Sequence, residues 1–164
     1  VRLIEQDVEA KIIEVFEALD GMPAGVSIEG AWQPSATGEV KGLETEGGGS
    51  CRIAVAVGAP SWANWTVMSA DLPVAIALSV RRDLAPTAAE VAQVLAPIAA
   101  KLIEWQMDDG AESLIAELST ETFEICGIQL EPGEPPEYDA KRHAWFVTRS
   151  FALKGTPRTT NQGN

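Results

Sequence analysis

The residues FEICGIQLEP (123–132), GEPPEYDAK (133–141) and RHAWFVTRSFAL (142–153) read as two strands joined by an acidic, turn-rich loop. In the first run Phe123 and Ile125 alternate with polar neighbours. Cys126, Ile128 and Leu130 then take up the alternation on the other parity, which predicts a β-bulge at Gly127. In the second run His143, Trp145, Val147, Arg149, Phe151 and Leu153 share one parity, and Ala144, Phe146, Thr148, Ser150 and Ala152 share the other. Arg149 is the odd member of its face. A guanidinium left unpaired among apolar side chains costs several kcal/mol, so it needs an outlet. A bulge would turn it to solvent, or a carboxylate would meet it. The sequence reading places that carboxylate on an adjacent subunit, with an edge-strand arginine in water as the alternative.

Upstream of this pair, residues 3–20 form an amphipathic helix, because Ile4, Val8, Ile12, Val15 and Leu19 recur at steps of three and four. Gly21 is its stop. Glu5, Glu9, Glu14 and Glu17 are expected on a solvated face, since no histidine accompanies them to make a metal site. A weak strand follows at 25–32. Residues 33–50 hold five glycines and little apolar content, and are expected to be a mobile connector ordered only by a partner. Their triple glycine lacks the GxxxxGK[ST] spacing of a phosphate-binding loop.

Cys51, Ile53, Val55 and Val57 define one face of the next strand, with Arg52, Ala54 and Ala56 on the other. Trp62 and Trp65 fall in a segment without clear period, where they either cover a satellite core or act as interface anchors. Residues 73–82 make a buried strand with Val74, Ile76, Leu78 and Val80 on one face. Ala75, Ala77 and Ser79 line its second face, small enough for something to pack closely against them. After a turn, Thr87 to Glu90 forms a capping box that opens a helix with the buried stripe Val91, Val94, Leu95, Ile98 and Leu102. Pro97 inside it should bend or divide the helix. Residues 112–118 supply a short third helix, with Leu114, Ile115 and Leu118 turned inward.

This order predicts an α+β two-layer sandwich, a mostly antiparallel four- to five-stranded sheet with helices packed on one face. Residues 1–154 are expected to form a single domain and 155–164 a mobile tail. No apolar run reaches the ~18 residues of a membrane span, and the first residues lack a signal pattern, so the expectation is a soluble intracellular protein. Cys51 and Cys126 are expected as free, buried thiols rather than a disulfide.

The net charge of −12 argues against nucleic-acid binding. All 24 acids lie in the first 140 residues, which carry a net −17, while the remainder holds five cations and no acid. Such asymmetry fits either a basic protective edge strand or self-association of a basic end with an acidic body. His143, the only histidine, has no motif-spaced Ser, Cys or Asp partner, so no catalytic, metal or cofactor constellation is present in the sequence.

The closing motif, GIQLEPGEPPEYDAKRHAWFVTRSFALKG (127–155), together with the element order, resembles the tail-terminator and tail-completion proteins of tailed bacteriophages and prophages. In this motif Glu131-Pro132 ends one strand, Tyr138-Asp139 marks the spacer, and Trp145 leads an aromatic-aliphatic run to Gly155. The resemblance implies a virion structural protein, not an enzyme, with no cofactor. It implies a ring, commonly six copies, that caps the tail tube, meets a tail tube protein and a head-completion protein, and passes from the host cytoplasm into the virion tail. Arg149, Arg142, Trp62 and Trp65 are the candidate interface residues. A non-enzymatic adaptor or binding module of a phage-like or secretion-like apparatus is the alternative, and a hydrolase or transferase the third class. Particle mass in solution separates the ring from both.

Overall fold

The computed structural model describes residues 3–31, 51–64, 69–107 and 111–158. Seven strands and three helices follow in the order α1 (Ile4–Glu17), β1 (Ser27–Gly30), β2 (Cys51–Val57), β3 (Ser61–Asn64), β4 (Ser69–Arg81), α2 (Ala88–Gln106), α3 (Ala111–Leu118), β5 (Phe123–Leu130), β6 (Glu137–Asp139) and β7 (Ala144–Pro157). The protein is α+β with one mixed sheet, β1-β2-β4-β7-β5, in which β3 pairs with β4 and β6 with β7. Seven strands occupy five positions: β3 lies along the same edge of β4 as β2, and β6 along the same edge of β7 as β5. The sequence count of four to five is thus too low by two pieces of three and four residues, too short to show a period. β1 is parallel to β2, and the other pairs are antiparallel.

The β4–β7 ladder joins the two strand pairs, running from Ala70 opposite Gly155 to Arg81 opposite Ala144. Directly opposed residues share a face, so Leu72, Val74, Ile76, Leu78 and Val80 line up with Leu153, Phe151, Arg149, Val147 and Trp145. Cys51, Ile53, Val55 and Val57 of β2 extend the same face, which is buried against the helices. α1 lies over β1 and β2, and α3 with α2 lies over β5. Buried Val8, Ile12 and Phe16 carry the α1 contact, and Val91, Leu95, Ile98, Leu102 and Trp105 the α2 contact.

Several local expectations need correction. Glu5 and Glu9 are buried, Glu9 at 1% exposure, because Gly30 on β1 leaves room where a Cβ would collide with the Glu9 carboxylate. Only Glu14 and Glu17 keep the solvated positions. Pro97 does not divide α2, which runs unbroken through it. The carbonyl that loses its donor is that of Gln93, an exposed residue whose carbonyl water can serve. Ile115, expected inward, is an exposed apolar residue of α3, while Leu114 and Leu118 carry the burial. β4 begins at Ser69, four residues before the expected start. β7 continues through Pro157, three residues into the expected tail, because β5 needs a partner there: Phe123 pairs with Pro157, and Arg158 N–H donates to the Thr122 carbonyl at 2.8 Å. Cys51 and Cys126 are both free thiols, but only Cys51 is buried. Burial pushes its thiol up to about 11. Cys126 is the bulged residue itself, one position before the expected glycine, as the register passes from Ile125 to Gly127. The connector 33–50, Trp65 and most of the expected tail lie outside the described residues.

Thr87 caps α2 as expected, its Oγ1 accepting the Glu90 N–H at 3.3 Å. α1 ends at Glu17 with Ala18 as its C-cap, before the expected stop at Gly21, which instead takes φ 86° in the following turn, a left-handed conformation that favours glycine. Pro73 sits inside β4, where a missing N–H ordinarily costs a rung. Its carbonyl accepts from the Gly58 N–H at 2.8 Å, so its nitrogen faces the same side, where β2 has ended and β3 has not begun. The break in the neighbouring strand is therefore placed where β4 has no donor to offer. A Cβ on Gly58 would stand 2.8 Å from Pro73 Cγ, and Gly58→Val should destabilise the fold by about 1–3 kcal/mol through overpacking. Urea unfolding checks this, with a lowered midpoint expected at unchanged slope.

Between the helices, Phe16 stacks on Trp105 at 6.3 Å and 20°. Lys101 lies 5.7 Å from the same indole and bridges Glu117 at 2.7 Å and Glu104 at 3.2 Å. Burial alone would lower the Lys101 pKa, but the hydrogen bonds and charges of Glu117 and Glu104 outweigh it and raise it above the ordinary 10.5. A folded value above the unfolded one stabilises fully below the unfolded pKa, and that stabilisation is lost as pH rises through the folded pKa. Lys101→Met should therefore cost about 1 kcal/mol at pH 7–9. The gap between variant and native protein should shrink above pH 11 in denaturant titrations.

Candidate functional site

Among the described residues no group of three or more His, Cys, Asp or Glu side chains is placed to hold a metal ion. His143 sits exposed in the turn before β7 with φ 51°, facing no nucleophile. The turn is built by Asp139, whose Oδ1 accepts the Lys141 N–H at 2.9 Å and the Arg142 N–H at 3.4 Å. Arg142 is consequently exposed, its Nε 3.8 Å from Asp139 Oδ2 and its guanidinium 5.8 Å from the Phe146 ring.

Arg149 stands on the core-facing side of β7, opposite Ile76, and finds a third outlet beyond the two expected from sequence. Its Nη1 donates to the Glu134 carbonyl at 2.8 Å and the Thr148 carbonyl at 3.0 Å. The geometry explains the need. Glu131 N–H donates to the Ser150 carbonyl at 3.1 Å, the last rung on the β5 side, and β6 resumes only at Glu137 opposite Phe146. Between these rungs the loop bows away from β7. The Thr148 carbonyl, which points the same way as that of Ser150, loses its strand partner and takes the guanidinium instead. Gly133 permits this closure, because a Cβ there would stand 2.7 Å from Arg149 Cζ.

The space behind the loop is a cleft of about 350 Å³ lined by Glu131, Glu134, Glu137, Pro132, Pro135 and β7. Thr148 and Ser150 line it from β7, and no histidine or lysine does.

Trp62 lies on β3, half-buried and packed against the core, opposite Ala70. Trp62 and Arg149 thus belong to the core-facing side on opposite flanks of β4, while Arg142 meets Phe146 on the other face. The structure does not bring the three candidates into one patch.

That other face is where the sheet departs from an ordinary exposed surface. Its central positions are Ala54 and Ala56 of β2, Pro73, Ala75 and Ala77 of β4, and Thr148, Ser150 and Ala152 of β7. An antiparallel sheet with one face in water usually alternates apolar with strongly polar residues. Here the centre carries no charge. On these three strands Arg52, Arg81 and Lys154 stand at the periphery with Asp71 the one acid, and Arg52 bridges Glu29 of β1 at 3.4 Å. Ser79, wholly buried at the Arg52 end, has a hydroxyl without a hydrogen-bond partner. The small side of β4 is legible in its own alternation, but that β2 and β7 continue it is revealed only by the register.

No protein-family model matches this chain, and no curated protein sequence is significantly similar to it.

The Arg149 geometry predicts that Arg149→Ala leaves the global fold intact, because the bonds it loses are exposed and worth about 0.5–1.5 kcal/mol. Amide exchange should accelerate locally, within residues 131–137 and at 147–150. Unchanged exchange there would show that the loop is held by other contacts.

Proposed function

We propose that this chain is a non-enzymatic structural subunit that resembles the tail-terminator and tail-completion proteins of tailed phages. In this reading it assembles into a ring that caps a tail tube and joins it to head-completion proteins, moving from the host cytoplasm into the virion. Its fold is read as a two-layer sandwich, helices on one side and a sheet face left open on the other. The observation that carries the proposal is that open face. Small, uncharged residues across three neighbouring strands are unusual where a sheet faces only water, and contiguous low-polarity patches mark association surfaces. Charge supports the same reading. Copies of a chain of net −12 repel one another, and the uncharged centre of this face is where a second copy can approach against least repulsion.

Light scattering on the full chain tests the reading. The expected mass is a closed multiple of 17.4 kDa, six copies being the number implied by the resemblance, with annular particles in negative stain that bind the ends of tail tubes. A monomer at every concentration would favour the adaptor reading.

A further inference from the structure

The segment between β5 and β6 reads Glu131-Pro132-Gly133-Glu134-Pro135-Pro136. Proline fixes φ near −65°, and the residue before a proline is pushed toward extended or polyproline II backbone. These two rules constrain every residue of the segment except Gly133, which keeps a negative φ. No helix, strand or turn forms within it. Polyproline II has three residues per turn, so Pro132 and Pro135 fall on one edge, about 9 Å apart at about 3.1 Å per residue.

The fold displays this ridge rather than packing it. Pro132 and Pro135 are exposed and Pro136 is half-buried. Both exposed prolines line the cleft of about 350 Å³ that separates the segment from β7, so the side turned to the sheet borders open space. Between the Glu131–Ser150 rung and the first rung of β6, the Glu134 carbonyl, held by Arg149, is the one backbone group of the segment with a partner among the described residues. The carbonyls of Pro132, Gly133 and Pro135 are open acceptors. Protecting a sheet margin needs no such display, since a single proline or charge blunts an edge.

We propose that residues 131–138 are a preformed polyproline II ligand for a partner protein that presents a groove lined by aromatic side chains. Such grooves seat a proline ridge between their rings, and they gain from a ligand whose backbone loses little entropy on binding. Glu131-Pro132 and Glu134-Pro135 supply two X-Pro steps at the three-residue spacing such a groove reads. Arg149 supplies the preordering. Its bond to the Glu134 carbonyl pins the middle of the segment to β7, and a ligand already held in its bound shape has less freedom to lose. Tyr138 follows at β6, 37% exposed, its ring 5.1 Å from that of Trp145. The order Pro-Pro-x-Tyr thus places an aromatic side chain beside the ridge.

A different protein suits this ligand better than a second copy of the chain. The clefts along α1 and α2 are lined by no aromatic residue, so they are not the groove. The ligand is complete in one copy and does not depend on ring assembly.

Fluorescence anisotropy tests this, with the full chain titrated into dye-labelled WW, SH3 and EVH1 domains, three modules whose grooves are aromatic. At least one should bind saturably. Pro132→Ala and Pro135→Ala combined should weaken that binding by about tenfold or more and keep the native circular dichroism spectrum, both residues being exposed. Arg149→Ala leaves the prolines in place and should weaken binding about 2- to 10-fold, the equivalent of one exposed hydrogen bond. No binding to any of the three modules, the result expected if a second copy already covers the segment, overturns the proposal. Binding that survives loss of both prolines overturns it as well, and an unchanged affinity in Arg149→Ala overturns the role given to that side chain.

Discussion

The pairing of β4 with β7 is the constraint on which the rest of the structure depends. It runs twelve rungs without interruption and connects residues more than sixty positions apart, so the chain gains its reward only after a long loop closes. Once formed, it assigns every neighbouring side chain to a face. Leu72 to Val80 and Val147 to Leu153 go to the helices, and the alanines go to the opposite side. β2 inherits the same parity through its own register with β4. Pairing elsewhere is adjusted to this ladder: Pro73 falls at the gap between β2 and β3, and the Cys126 bulge lets β5 present Phe123, Ile125, Ile128 and Leu130 to the same side of the sheet.

Polar groups inside the helical layer are arranged around a few large side chains. Trp105 is buried with its indole N–H unpaired, a cost on the order of 1–3 kcal/mol offset by the volume it fills between Phe16 and Lys101. Lys101 in turn holds α2 to α3 through Glu117, which also receives the Ser113 hydroxyl. On the far side of the core Arg149 performs the corresponding task for the β5–β6 loop, replacing missing ladder bonds with side-chain donors. Ser119 and Gln106 act likewise along β5, accepting the Ile125 N–H at 3.0 Å and the Leu130 N–H at 3.4 Å. An edge whose donors are already occupied is a poor template for a further strand.

The proposal of a structural subunit rests on how this surface is organised. The cleft behind the β5–β6 loop is lined by three glutamates, and the lone histidine stands in an exposed turn. The unusual surface is instead the side of the sheet turned away from the helices, whose centre is small and uncharged.

The amino-acid sequence by itself determined the elements whose apolar period is long: α1, the cap and buried stripe of α2, β2, the core of β4, and the two closing strands with a bulge between Ile125 and Ile128. It determined the acidic body as well. Tertiary structure alone decided what depends on partners distant in the chain. The parallel placement of β1, the three- and four-residue strands β3 and β6, the extension of β7 to Pro157, the burial of Glu9 over Gly30 and the carbonyl bonds of Arg149 all follow from register and close approach. A strand of three residues has no readable period, and a backbone carbonyl has no sequence signature. Parity tells which side chains share a face of one strand, but only hydrogen-bonded register tells which faces join into a surface.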